Sequence, residues 1–248
     1  MSQTPSATRA LRILRFLAAQ PHPVPLGVIT RELDLPRSTG YHLLNAMIEE
    51  GFVVHLADEG RYGLGVAAFE VGGGYARQEP LQRITRRHVA ALADRTGASA
   101  HLAVPHGRDV LYVVQERAPG RPPLVTEVGV RLPAHLTATG RAILAALPAN
   151  QVRALYPDRS VFVERRGSGP TSPSMLRDLL REVRRRGYAV EDEDVTEGLA
   201  SVAAPVLDHN EHPVAGIAVT FDRDLAPAPF VEAVLETART VSRRLAGR

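Results

Sequence analysis

Three short helical segments, each stopped by prolines or a glycine, occupy the first 51 residues of the chain. The segment "ATRALRILRFLAA" has the apolar spacing of an amphipathic helix, and the three prolines of "QPHPVP" end it. It places five apolar residues on one face: Ala10, Leu11, Ile13, Leu14 and Leu17. A second helix, "LGVITRELD", leads through a turn into a third. Pro36 suits the start of that third helix because its missing N–H costs nothing there.

A two-stranded hairpin follows the third helix. The segments "FVVHL" and "RYGLG" have the composition of β-strands, and "ADEG" between them forms the turn. Three helices and a hairpin in this order predict a winged helix-turn-helix domain over residues 1–65.

The third helix begins with a block of polar residues that can contact DNA. Its dipole and its first N–H groups attract phosphate, and the side chains one turn later are placed to meet base edges in the major groove. An asparagine there can pair with adenine. The alternative is a solvated helix face with local caps only. The predicted DNA-binding residues, with one arginine from the wing, are Arg37, Ser38, Thr39, Tyr41, His42, Asn45 and Arg61.

The overall charge of the chain supports DNA binding only weakly. The net charge is +3, and all 30 basic residues are arginines, which can bind phosphate or guanine in a bidentate manner. Residues 1–48 contain five arginines and two acidic residues, whereas residues 49–79 contain two arginines and six acidic residues. The predicted attraction to DNA therefore depends on the helix dipole, local arginines and dimerisation.

A helical stretch that contains Gly72–Gly74 follows the hairpin. Each glycine costs an isolated helix about 1 kcal/mol, so three of them indicate close packing against a second helix or a bend. We predict a linker helix over residues 66–80 and a second domain over residues 81–248.

The second domain has the mixed pattern of an α+β fold. The predicted helices are "LQRITRRHVAALADRTG", "TATGRAILAAL", "NQVRALY", "TSPSMLRDLLREVRRRG" and a last one from about residue 229 to 245. The predicted strands are "ASAHLAV", "DVLYVVQE", "LVTEVGV", "ASVAAPVLD" and "PVAGIAVTF".

Several classes of protein do not fit the composition. The chain has no cysteine, no apolar run of membrane-spanning length and no pattern typical of a secretory signal. We therefore expect a cytoplasmic protein without disulfides, thiolate metal sites or a membrane partner.

The motifs resemble those of the IclR family of bacterial transcription regulators. The N-terminal ones are "ATRALRIL", "LDLPRSTGYHLLNAMIEEGFV" and "RYGLG", and the C-terminal ones are "HLTATGRAILAAL", "RGYAVEDEDVTEGLASVAAPV" and "VAGIAVTF". The resemblance covers nearly the whole chain. It implies a winged helix-turn-helix joined by a linker helix to a profilin-like, GAF-like effector-binding domain. It also implies operator binding by a dimer or a dimer of dimers, modulated by an organic acid or aromatic metabolite.

One residue departs from the family pattern. Relatives usually carry an arginine where this chain has His42. A neutral histidine cannot grip guanine or phosphate in a bidentate manner, so the operator sequence or affinity should differ.

The resemblance also implies an effector pocket at the start of the helix "TATGRAILAAL". Carried over residue by residue, the implied effector-binding residues are Leu132, Ala138, Thr139, Glu191, Ser201, Ala218 and Thr220. The helix start suits a carboxylate, although Thr137 could simply cap it. For Glu191 three roles stay open: binding a donor group, repelling an acid, or standing solvated in the "EDED" loop.

Other kinds of site fit less well. The segment "GLGVAA" loosely matches a nucleotide-binding fingerprint but lacks the βαβ context. His101 and His106 flank a turn without a convincing third ligand, so we expect ordinary histidines and no metal. Ser201 stands outside a G-x-S-x-G turn, so no catalytic residue and no cofactor is predicted.

Two alternatives to the regulator remain. One is an enzyme that acts on a small acid in the C-terminal domain and carries an appended winged helix; its turnover would require Thr139 or Ser201. The other is a winged helix that binds protein. The salt dependence of binding distinguishes this alternative from the regulator. Binding to DNA weakens steeply as the salt concentration rises, because it releases counterions from the phosphates.

Overall fold

The computed structural model describes residues 5–78, 80–118, 124–165 and 169–247, with only the backbone for residues 73–78 and 80. The chain divides into two compact units, residues 1–79 and 80–248. Glu79, within the predicted linker, lies outside the described residues.

The first unit holds a small helical core. Its helices are α1 (Pro5–Ala18), α2 (Leu26–Glu32), α3 (Arg37–Glu49) and α4 (Val66–Gln78). Ile13, Ile29 and Leu44 are fully buried between α1, α2 and α3. Leu11, expected on the buried face of α1, is instead 62% exposed. The prediction for Leu11 was wrong because the buried stripe of α1 runs through Ile13 and Leu17, and Leu11 lies beside it.

The predicted wing is present as a hairpin with a third, unpredicted strand. Strands β2 (Val53–Leu56) and β3 (Arg61–Leu64) pair antiparallel, and β1 (Val24–Pro25) adds to the other edge of β3. The two residues of β1 lie in the proline-rich stretch that ends α1, where no strand pattern is visible in the sequence.

The second unit is built on a six-stranded antiparallel sheet. Its strands are β4 (Ser99–His106), β5 (Asp109–Glu116), β6 (Arg131–Pro133), β7 (Ala189–Asp192), β8 (Leu199–Leu207) and β9 (Pro213–Asp222). The order across the sheet is β6-β5-β4-β9-β8-β7. The central pair, β4 and β9, therefore comes from opposite ends of this unit.

Helices cover both faces of that sheet. They are α5 (Pro80–Thr96), α6 (Ala138–Ala146), α7 (Ala149–Leu155), α8 (Pro173–Arg186) and α9 (Ala228–Leu245). Along β9, Ile217 and Val219 belong to the core under α5 and α9, whereas Ala218 belongs to the core under α6, α7 and α8. Successive side chains of β9 thus point to opposite faces of the sheet, as expected for a strand that is buried on both faces.

Two predictions about strands in this unit were wrong. Residues 124–130 form no strand, because Val130 N–H bonds Glu127 O in a turn and Gly129 has a φ of +90°. The strand begins only at Arg131. In the opposite sense, β7 forms in the acidic segment that was expected to be a loop, because its backbone pairs with β8.

None of the described helices is long and apolar enough to cross a membrane.

Candidate DNA-binding helix and effector cavity

Helix α3 is held against α2 by a close contact at Gly40. A Cβ atom on Gly40 would lie 2.5 Å from Cγ2 of Thr30 on α2. Thr30 is itself fixed, since its hydroxyl donates to Leu26 O at 3.1 Å. Leu44 and Met47 complete the buried face of α3. The opposite face of the helix is therefore turned away from the core.

The polar residues predicted on that face are mostly exposed. Arg37, Ser38, Tyr41 and His42 are exposed, whereas Thr39 and Asn45 are half-buried. The four exposed residues line one groove together with Gly60 and Tyr62 of the wing. The start of α3 and the wing thus border one groove, to which Leu26 of α2 adds an apolar side chain.

Arg61 on the wing is partly engaged within the protein. Its Nη1 donates to Pro23 O at 3.2 Å, and its Nε lies 3.8 Å from the Glu59 carboxylate. Its side chain is still 48% exposed.

A narrow cavity lies in the second unit, between the start of α6 and the sheet. Its volume of about 20 Å³ is enough for about one water molecule, so a metabolite can enter only if the walls move apart. Its polar lining comes from the sheet, the start of α6 and two loops: His101, Tyr112, Thr126, Thr137, Thr139, Glu191, Thr196, Ser201 and Thr220. Among the described residues of the lining there is no arginine.

A row of polar side chains crosses three neighbouring strands on the cavity face. Glu191 on β7 is paired with Ser201 on β8, and Ser201 with Thr220 on β9. The hydroxyls of Ser201 and Thr220 lie 2.9 Å apart, and the Ser201 hydroxyl also bonds the Glu191 carboxyl. On the far side, Thr220 Oγ1 lies 3.4 Å from His101 Nε2 on β4.

The start of α6 forms the opposite wall. The Thr137 side chain caps the helix by accepting from Gly140 N–H at 3.1 Å. Thr139 Oγ1 lies 3.3 Å from the Tyr112 hydroxyl on β5. A Cβ on Gly140 would come within 2.3 Å of the Ala134 backbone, so glycine allows the close packing that fixes this helix start. The first N–H groups of a helix have no partner within it, so this wall favours a negative group.

Burial shifts the pKa of three groups that face the cavity. It raises the pKa of Glu191 to about 7, although the Val195 N–H and the Ser201 hydroxyl bind the carboxylate and oppose the shift. It lowers the pKa of His101 to about 4 and raises that of Tyr112 to about 12. At neutral pH the imidazole and the phenol are uncharged, and Glu191 is divided between its two forms.

A buried ion pair fixes the segment that closes the cavity. Arg141 Nη2 donates to Asp194 at 2.6 Å, with both side chains almost fully buried. The same guanidinium donates to the backbone oxygens of His135 and Val190. Val195 and Thr196, which line the cavity, directly follow Asp194 in the chain. The position of α6 and that of the acidic segment are thereby coupled.

The structure brings together most, but not all, of the residues implied by the resemblance. Ala138, Thr139, Glu191, Ser201 and Thr220 line the cavity. Leu132 and Ala218 lie in the apolar core on the same side of the sheet. The sequence did not single out Tyr112, and it treated His101 as an ordinary surface or half-buried histidine. His101 lies on β4 and Tyr112 on β5, so their rings come together only because these two strands pair.

No group of three or more histidine, aspartate or glutamate side chains in the described part of the chain could hold a metal ion.

Comparison with known families identifies the chain. Residues 6–57 match the IclR helix-turn-helix domain, and residues 73–243 match the bacterial transcriptional regulator IclR C-terminal domain. The chain belongs to the IclR family. It is therefore a transcriptional regulator with a helix-turn-helix DNA-binding domain, in agreement with the sequence-based identification.

Individual IclR relatives cover the whole length of the chain. The glycerol operon regulatory protein of Streptomyces coelicolor is 35% identical over 251 residues, which cover 98% of this chain and 97% of the relative. An IclR regulator from Alicyclobacillus acidocaldarius has a TM-score of 0.87 at 23% identity, with 99% of both chains covered. An IclR homologue from Microbacterium hydrocarbonoxydans, complexed with 4-hydroxybenzoate, has a TM-score of 0.82 at 21% identity, with 98% of this chain and 100% of that one covered.

Proposed function

We propose that this regulator binds its operator through the N-terminal half of α3 and the wing, over residues 1–65. The observation that supports the proposal most directly is the one-sided burial of α3. Gly40, Leu44 and Met47 face the core, which leaves Arg37, Tyr41 and the polar residues beside them outward. The helix start adds its own partial positive charge, which offsets the low overall charge of this unit.

We further propose that a small organic acid or aromatic metabolite binds in the cavity over residues 81–248 and modulates operator binding. The start of α6 suits a carboxylate, and the hydroxyls of Ser201 and Thr220 suit the orientation of a ligand in a site with both polar and apolar walls. The related IclR homologue complexed with 4-hydroxybenzoate supports this class of ligand.

The cavity favours binding over catalysis. Thr220 stands between Ser201 and His101, so the histidine contacts the threonine hydroxyl. A serine nucleophile needs a base within hydrogen-bond reach, and burial keeps the pKa of His101 too low for a good base at neutral pH. We therefore propose a regulator without enzymatic activity, acting in the cytoplasm where operator DNA is found.

A homodimer or a dimer of dimers is the proposed assembly, with residues 66–80 as the linker. Val66, Phe69 and Val71 on α4 are 68%, 81% and 59% exposed. Val66 and Phe69 lie about one turn apart on the same face of α4, and exposed apolar side chains on one helix face favour contact with a second copy.

A gel-shift experiment tests operator binding. The purified full chain is titrated onto the DNA upstream of its own gene, with unrelated DNA as competitor and a series of salt concentrations. We expect a specific shift that weakens steeply with salt. If no specific shift appears, selection of genomic fragments with and without metabolite extract decides whether DNA is the partner. A protein that enriches no fragment under either condition contradicts the proposal.

A further inference from the structure

Two buried polar atoms of the cavity lining have no hydrogen-bond partner within the described part of the chain: Nδ1 of His101 and Oγ1 of Thr126. His101 is 1% exposed, and its Nδ1 has no hydrogen-bond partner within the described part of the chain. The ring is nevertheless held in place. Its Nε2 contacts Thr220, and its plane stands at 70° to the Tyr112 ring with centroids 5.3 Å apart. A buried polar atom without a partner is unfavourable, and at a cavity wall a water molecule or a ligand group can supply that partner.

The chemistry of the ring limits what that partner can be. Since burial keeps the imidazole neutral, one ring nitrogen donates and the other accepts. The contact of Nε2 with a threonine hydroxyl is compatible with either tautomer. A hydroxyl group on a ligand can also donate or accept, so it satisfies Nδ1 in both cases.

The rest of the lining limits the charge of the ligand. The start of α6 can hold one carboxylate, but no arginine occurs among the described lining residues, and Glu191 stands on the sheet side. A second negative charge would lie in a buried site without a cation. The cavity is thus suited to a single carboxylate at the helix start and a neutral polar group on the sheet.

We infer that His101 is a specificity-determining residue of the cavity, whose Nδ1 hydrogen-bonds a hydroxyl of a small hydroxylated monocarboxylic acid. The inference rests on the proposed effector site and adds to it the class of ligand and a contact that the resemblance does not imply. A site built to bind a hydroxyl rejects the analogue that lacks it, because the buried polar atom is then left unpaired.

Ligand pairs that differ by one hydroxyl test the inference. The probes are propionate with lactate, and benzoate with 4-hydroxybenzoate, titrated into the full-length protein by calorimetry. We expect the wild-type protein to bind the hydroxylated member of at least one pair roughly tenfold or more tightly.

Two polar substitutions separate the ring nitrogens. In His101→Gln the amide takes the place of Nε2 and leaves nothing at Nδ1, whereas in His101→Asn the amide takes the place of Nδ1. We expect His101→Gln to bring the affinity ratio of the pair close to one. His101→Asn should keep the preference for the hydroxylated member.

The matched control is His135→Gln. His135 is also 1% exposed with an unpartnered Nδ1, but it stands outside the described lining of the cavity and bonds Val163 O through Nε2. A general effect of replacing a buried histidine would appear in this variant, which should keep the wild-type affinity ratio.

Each outcome decides the matter. Binding with the same affinity ratio in wild type and His101→Gln overturns the role of His101 and leaves the effector site intact. Wild-type protein that binds neither pair at millimolar concentration overturns the proposed effector class, and the inference with it. If the variants do not fold, the Nδ1 resonance of wild-type protein labelled with ¹⁵N-histidine must move on addition of the hydroxylated ligand; an unmoved resonance with bound ligand also overturns the inference.

Discussion

At the scale of single residues, two side chains carry most of the electrostatic argument. Glu191 is an acid held in a buried site, where the proton reduces the cost of desolvation. Arg37 is the reverse case, an exposed cation at the start of a helix. We expect the first to make the stability of the protein sensitive to pH, and the second to make the proposed DNA binding sensitive to salt.

Glu191 should lower stability at neutral and alkaline pH. Its pKa is raised from 4.5 to about 7, so between these values the folded protein holds a proton that the unfolded chain has lost. Stability therefore falls as the pH rises through this window, by about 3 kcal/mol at most. Glu191→Gln removes the titration. The free energy of unfolding of the variant, relative to wild type, should rise between about pH 5 and about pH 8.

Urea denaturation at several pH values measures that difference. Glu232→Gln, at an exposed position on α9, is the matched control and should show a difference that does not change with pH. If Glu191→Gln also shows a constant difference, Glu191 does not titrate in this range.

Arg37→Ala should weaken operator binding and reduce its dependence on salt. Loss of one phosphate contact lowers the slope of log affinity against log salt concentration by about one. Fluorescence anisotropy at several salt concentrations gives this slope. Arg181→Ala removes an equally charged, 76% exposed side chain from α8 and should leave the slope unchanged. An unaltered slope and affinity in Arg37→Ala would remove this residue from the interface.

At the scale of elements, short contacts decide where helices lie. Gly40 lets α3 approach α2, and Gly140 lets the start of α6 approach the backbone of Ala134. In both cases the missing methyl group of glycine allows the close approach. The helix parts positioned in this way are those that we propose bind DNA (α3) and the effector (α6).

Gly40→Ala should loosen the packing of α2 and α3. The new methyl group would lie 2.5 Å from Thr30 Cγ2, and such overpacking costs about 1–3 kcal/mol. Gly27→Ala, on α2 with nothing within 4 Å, should instead stabilise its helix by about 0.5–1 kcal/mol. Hydrogen exchange of α2 and α3 in the full chain should be faster in the first variant and slower in the second. Equal exchange in both variants would show that the contact at Gly40 relaxes without cost.

Elements with strong local signals could be predicted from the sequence, and those stabilised by distant contacts could not. Helix α3 lies between Pro36 and a Gly51 with a φ of +73°, so its limits are encoded locally. Strand β7 and the burial of Glu191 depend on pairing with β8. The environment of His101 depends on Thr220, 119 residues later in the chain. The five implied effector-binding residues that line the cavity came from the family resemblance.

At the scale of the whole molecule, the exposed apolar residues of α4 point to assembly. Phe69, at 81% exposure, is the largest of them. An isolated chain with this surface would be prone to non-specific association, so burial against a second copy is the simplest arrangement.

Phe69→Glu should therefore reduce the size of the assembly. A buried charge without a partner disfavours the interface strongly, so we expect a smaller mass by light scattering and weaker operator binding. Leu225→Glu, a 42% exposed position in the second unit, is the control and should keep the wild-type mass. Unchanged mass in Phe69→Glu would place the interface elsewhere.

The order of strands in the large sheet has a consequence for biosynthesis. Strands β4 and β5 emerge early from the ribosome as a hairpin, but the second partner of β4 is β9, which ends at Asp222. Until then one edge of β4 stays unpaired, the kind of edge that recruits other chains. The wall formed by Thr220 is also missing. A nascent chain consequently offers an effector no complete cavity, and the regulator can respond to its metabolite only after almost the whole chain has been translated.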